Sequence, residues 1–175
     1  MDTSDVISAG ALFLAILAFP ISIKSYLLSK KALLISEREH KERYMGITLY
    51  LIDVYKWKKN GETYISFALR FTNKATIPNS ISSIELHLEY FDEQKNFGKI
   101  KIPTSNSVTP IDLREHSDLI SNPLVMSEKS AKSGWSTFVI PKRLNDKFII
   151  DIYRVVATTT DNKVTFIETH IVNEV

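Results

Sequence analysis

Between Pro110 and Pro123 the chain reads Asp112-Leu113-Arg114-Glu115-His116-Ser117-Asp118. Three carboxylates around one imidazole are the groups that general acid–base catalysis or a hard-metal site would use. Asp112, Glu115, His116 and Asp118 therefore form the candidate polar loop. The flanking prolines mark a connection or a single helical turn. Adjacency in sequence sets no ligand geometry, so a solvated connection is the simpler reading. The other histidines are isolated: His40 in a charged helix, His87 on the polar side of a strand, His170 near the last strand, none at metal-ligand spacing from another.

Nucleophile motifs are weaker still. Ser133-Gly134-Trp135-Ser136 lacks glycines two residues before and after a serine, which a nucleophile elbow needs, and reads as a loop starting a strand over Trp135–Ile140. With no cysteine there are no disulfides, thiolate zinc sites or iron–sulfur clusters. Five glycines build none of the phosphate-binding fingerprints. Charge is nearly balanced, 22 Lys and Arg against 20 Asp and Glu, which argues against nucleic acid as a partner. Lys56, Lys58 and Lys59 around Trp57, and Lys142, Arg143 and Lys147, read as solvated strand ends. For the first group, contact with anionic headgroups is the alternative. No catalytic, cofactor-binding or metal-ligating residue is assigned, no cofactor is expected, and the chain is not expected to be an enzyme.

The elements that carry these residues begin with an apolar helix. Val6–Ile23 is eighteen residues without a charge, and the apolar character resumes after Lys24 as far as Leu28. That length reaches the lower limit for crossing a bilayer. Asp2 and Asp5 precede it, and no small-x-small site follows it, so it does not resemble a cleavable signal. A surface helix would carry basic residues along one side, and this run has none. Lys24, Tyr26, Lys30 and Lys31 fall at the membrane interface. Lys24, Lys30, Lys31, Arg38, Lys41 and Arg43 follow the run, which places the N-terminus outside and the rest in the cytoplasm. The helix should continue to about Gly46, with Glu37–Lys41 and Glu39–Arg43 as pairs four apart.

Small residues form one stripe along it: Ser8, Ala11, Ala15, Ala18, Ser22, Ser25, Ser29, Ala32 and Ser36, at alternating steps of three and four. Nine of the eleven Ala, Gly and Ser residues in the window 6–36 lie on this stripe. The 3.5-residue period is that of a left-handed coiled coil, and in lipid small residues mark close helix contact. Pro20 removes the backbone bond to Ile16 and should kink the helix modestly.

From Ile47 onward the period changes to two. Ile47, Leu49 and Leu51 alternate with Thr48, Tyr50 and Ile52 in a strand toward Trp57, and Asn60-Gly61 is a strong hairpin signal. Ile65, Phe67, Leu69 and Phe71 form one side of the next strand, with Ser66, Ala68, Arg70 and Thr72 opposite. Ile84, Leu86, Leu88 and Tyr90 oppose Glu85, His87 and Glu89. Strands follow near Ile100–Ile102, Phe138–Ile140, Phe148–Thr158 and Val164–Val172, with a weak edge strand near Leu119–Met126. The fold expected is all-β, an immunoglobulin-like antiparallel β-sandwich preceded by one long transmembrane and juxtamembrane α-helix. The organisation expected is a short extracytoplasmic tail over 1–5, a transmembrane helix over 6–28, a juxtamembrane extension over 29–45 and a cytoplasmic β domain over 46–175.

These features point to a bacterial single-pass protein of the plasma membrane. Its helix pairs with a second copy or another membrane protein, and its β domain binds a cytoplasmic protein. The lipid bilayer is itself a partner. Two other functions compete: an oligomeric membrane effector or small channel component of the toxin or phage-defence type, with the β domain as sensor, and a membrane-surface enzyme using the polar loop.

Overall fold

The computed structural model describes residues 3–105, 108, 110, 118–144 and 148–174, and within the first helix the side chains of residues 10, 12–14 and 16 onward. The chain is mostly β-sheet, in two sheets that do not close, preceded by one N-terminal helix. It divides into two compact units, Met1–Arg43 and Tyr44–Val175.

The first unit is the helix α1, Thr3–Arg43, of 41 residues. At 1.5 Å per residue it is about 60 Å long. Good helix formers continue past Pro20, and His40, Lys41 and Arg43 in the last turn complement the negative end of the helix dipole. The helix stops two residues before the boundary expected at 45. Arg38 pairs with Glu42 on this stretch, at 3.1 Å. The described apolar side chains from Leu12 to Ile35 are exposed. By length and composition, α1 is able to cross a membrane.

The second unit contains β1 (Ile47–Lys59), β2 (Glu62–Asn73), β3 (Asn79–Phe91), β4 (Phe97–Pro103), β5 (Leu124–Met126), β6 (Ala131–Ile140), a 3-10 turn at Lys142–Leu144, β7 (Ile149–Thr159), β8 (Val164–Thr169) and β9 (Asn173–Glu174). The first sheet has the order β6-β2-β1-β9, and the second β4-β3-β7-β8 with β5 also on β3. Among the described residues, the pairings between the named strands are antiparallel except β1–β9, and a parallel bridge joins Leu119 to Trp135 of β6.

Turn chemistry explains the hairpins. Asn60 and Gly61 both take positive φ, 53° and 77°, which turns β1 back into β2 with the twist of the strands. Asp92 accepts the backbone N–H of Gln94 and of Asn96 between β3 and β4, at 2.8 and 2.7 Å. The inward residues of both sheets share one core. Ile65, Phe67, Leu69 and Phe71 of β2 and Phe138 of β6 belong to it together with Ile84, Leu86 and Leu88 of β3 and Val155 of β7. Phe67 and Phe138 meet edge to face, at 5.9 Å.

Alternation is interrupted in β1. Leu51 pairs with Leu69 but Asp53 pairs with Ala68, so Ile52 is an extra residue in the ladder. Ile47, Leu49 and Val54 are buried as a result, while Asp53, Tyr55 and Trp57 turn to the other side. Without this bulge, the period of two would carry Asp53 into the core. Another buried staple is Asn73, whose amide donates to Ile77 O and Ser127 O, both at 2.9 Å, and accepts from Ala75 N at 3.1 Å.

Candidate functional site

All nine seam residues fall within the single helix α1. Ser8, Ala11 and Ala15 have described backbone only; the other six seam side chains are exposed. The Ser22 hydroxyl donates back to Ala18 O at 3.0 Å, so the seam on either side of Pro20 is tied within its own turn. Lys24, Tyr26, Lys30 and Lys31 are exposed on the same helix.

Asp112, Glu115 and His116 lie outside the described residues. Asp118 is exposed, and its backbone is held by β6: Trp135 N–H donates to Asp118 O and Ile120 N–H donates to Trp135 O, each at 2.9 Å. This approach explains Gly134, since a Cβ there would come within 2.6 Å of Asp118 O. Ser133-Gly134-Trp135-Ser136 is thus strand interior rather than the expected loop, because β6 begins at Ala131. Among the described residues, no group of three or more His, Asp and Glu is placed to hold a metal ion. The histidines sit apart: His87 Nε2 lies 3.0 Å from Glu85 Oε2, and His170 Nδ1 lies 2.8 Å from Asp151 O.

Trp57 is 2% exposed; it stacks on Tyr64 with ring centres 4.5 Å apart and donates its indole N–H to Ser66 Oγ at 2.9 Å. It is therefore unavailable to a lipid surface. Of its neighbouring lysines, Lys56 is bound to Glu174 of β9 at 2.8 Å, which holds the Glu174 carboxyl below its ordinary range.

The sequence did not reveal two surface features, because each depends on strand register. One is an ion network across the outward side of the second sheet. Lys99 donates to Glu89 at 2.6 Å, Arg154 lies 3.5 Å from the same carboxylate, and Arg154 also pairs with Glu168. The Lys99 hydrogen bond comes first in lowering the Glu89 carboxyl pKa, against partial burial that raises it. The second feature is the edge of β1. Among the described residues, β9 covers this edge only at Tyr55 and Lys56, so Ile47–Val54 has backbone groups facing away from β2 without a strand partner. Tyr50 and Ile52 are exposed beside it. The one signal available in sequence was Leu51-Ile52-Asp53, where two apolar residues and a carboxylate break the alternation.

Among the described residues, the arrangement comprises an exposed apolar helix carrying a stripe of small residues and a β1 edge with no strand partner over Ile47–Val54. No protein-family model matches this chain, and no curated protein matches it. It is similar to the crystal structure of Spo0M, a sporulation control protein from Bacillus subtilis, at 11% identity and a TM-score of 0.40 over 75% of this chain. The chain spans about half of that protein, 51% of its length. It is also similar to the putative ApaA protein from Bordetella pertussis, at 8% identity and a TM-score of 0.35, over 73% of this chain and 94% of that one.

Proposed function

We propose that this chain is a single-pass, membrane-anchored interaction protein. Its helix crosses the plasma membrane, N-terminus outside, and its seam pairs with a second copy or another membrane helix. Its cytoplasmic β unit binds a protein partner. The observation that carries this reading is the exposed helix: eighteen residues without a charge, within α1, whose described apolar side chains are bare. Each large apolar side chain left in water forgoes about 1.5–3 kcal/mol, and lipid is the environment that removes the penalty along a whole helix. Six basic residues follow the run, whereas Asp2 and Asp5 precede it, which supports the orientation.

The β unit reads as an immunoglobulin-like sandwich. With β1, β2, β3, β4, β6, β7 and β8 taken as strands A, B, C, C′, E, F and G, the observed orders become E-B-A and C′-C-F-G. That division supports the immunoglobulin-like assignment. The open edge of β1 suits strand addition by an extended segment of the partner protein. The Ser22 hydroxyl, directed back to Ala18 O, favours a packed seam over a polar pore lining.

Cysteine crosslinking in membranes tests the proposal, since the chain has no native cysteine. S25C and S29C, on the seam, should give crosslinked pairs, and L27C, on the opposite side, should not. Recovery of the full-length chain as a soluble protein without detergent would overturn the anchor and the seam together.

A further inference from the structure

At 100° per residue, Ser25, Ser29, Ala32 and Ser36 cluster on one side of α1, and Lys24, Lys30 and Lys31 each stand roughly 80° or more round the helix from them. Leu27 and Leu34 project between Lys30 and Lys31 on that far side, and both are exposed. After Asp5 the next acidic residue is Glu37; from Val6 to Ser36 there is none. Among the described residues, no carboxylate pairs with Lys24, Lys30 or Lys31, whereas Arg38 is neutralised by Glu42. Three unpaired ammonium groups, with leucines among them, therefore lie opposite the seam at the end of the apolar run. The axial distance from Lys24 to Lys31 is about 10 Å, which flexible lysine stems can bring into a headgroup layer several ångströms thick.

We propose that Lys24, Lys30 and Lys31 form a binding site for anionic phospholipid headgroups. The site rests on the membrane-anchor reading and specifies which lipid the anchor selects. The ammonium groups take phosphate oxygens, the lysine stems and Leu27 lie against the upper acyl chains, Leu34 stays on the headgroup side of the lysines, and the seam on the other side stays free for a helix. A zwitterionic headgroup gives the same phosphate but also brings its own cation, so the site distinguishes net charge.

The test uses the full chain reconstituted in phosphatidylcholine vesicles with spin-labelled phosphatidylglycerol or spin-labelled phosphatidylcholine as probe. The wild-type chain should retain phosphatidylglycerol at its surface about threefold over phosphatidylcholine, and added salt should reduce that preference. The triple variant K24Q/K30Q/K31Q should bring the ratio close to one, and K24R/K30R/K31R should restore it. Equal retention of the two lipids by wild type, or a preference unchanged in the glutamine variant, would overturn the site while leaving the anchor standing. A chain released from the vesicles by alkaline carbonate would remove the anchor, and the site with it.

Discussion

Trp57 donates its indole N–H to Ser66 Oγ at 2.9 Å, and Ser66 Oγ in turn lies 2.9 Å from Thr137 Oγ1, on the side of the first sheet that faces away from the shared core. All three residues are buried. A buried hydrogen bond contributes modestly, but leaving its partners without one costs about 1–3 kcal/mol. Ser66→Ala should therefore destabilise the β unit by about that amount, read from the denaturant midpoint of the full chain. Ser136 is the control: its hydroxyl is buried without a partner among the described residues, so Ser136→Ala should be neutral or stabilising. Equal losses in the two variants would refute this assignment of the hydroxyls.

Much of this unit was legible because period-two alternation and turn residues are local properties. Asn60-Gly61, the Asp92 turn and the inward series Ile65–Phe71 and Ile84–Leu88 appear where the pattern placed them. Strict alternation failed where a backbone irregularity or a second covering layer intervened. Ser66 and Ala68 read as the side opposite Ile65 and Phe67, yet both are buried, Ser66 beneath Trp57. Glu89 reads as solvated, but register brings it against Lys99 and Arg154 from two neighbouring strands. The candidate polar loop was legible only as composition, and of its four residues Asp118 alone is described, tied by its backbone to Trp135.

Asn73 is the second place where one side chain holds several segments. Its amide nitrogen serves Ile77 O and Ser127 O, and its amide oxygen serves Ala75 N. Asn73→Ala removes all three bonds at a buried position, for an expected loss of about 2–4 kcal/mol. Asn73→Asp should be no better, because it sets a carboxylate against two carbonyls. Thermal unfolding of the two variants checks this, and a wild-type midpoint in Asn73→Asp would contradict it.

The turn between β7 and β8 carries a pH dependence of definite sign. The Thr159 hydroxyl, at 2.5 Å, and the Lys163 ammonium, at 3.0 Å, hold the Asp161 carboxyl at about 2, below its ordinary 3.8. Its folded-state pKa is depressed, so its contribution is fully present above the unfolded value and is lost as pH falls through about 2. Thr159→Val should move the Asp161 titration upward, toward 3.8, in a carboxyl NMR titration. Solvent exposure keeps the stability effect small. A titration that stays at about 2 in Thr159→Val would assign the depression to Lys163 instead.

Ile52 provides the sharpest test of how β1 is built. It is 60% exposed and has no place in the β1–β2 register, where Leu51 meets Leu69 and Asp53 meets Ala68. Deleting it leaves Leu51 inward, Asp53 outward and Val54 inward, a continuous alternation that keeps each core residue in the core. Most single-residue deletions inside a strand reverse every side chain beyond them; this one should not. The fold should survive with a stability change of about 1 kcal/mol or less. A bulge also twists a strand edge away from unwanted pairing, so the deletion leaves β1 with a straighter open edge. Self-association of the detergent-solubilised chain should rise with concentration more steeply than in wild type, as sedimentation would show. An unfolded deletion variant would mean that Ile52 is a core requirement, and an unchanged association curve would mean that the bulge does not guard the edge.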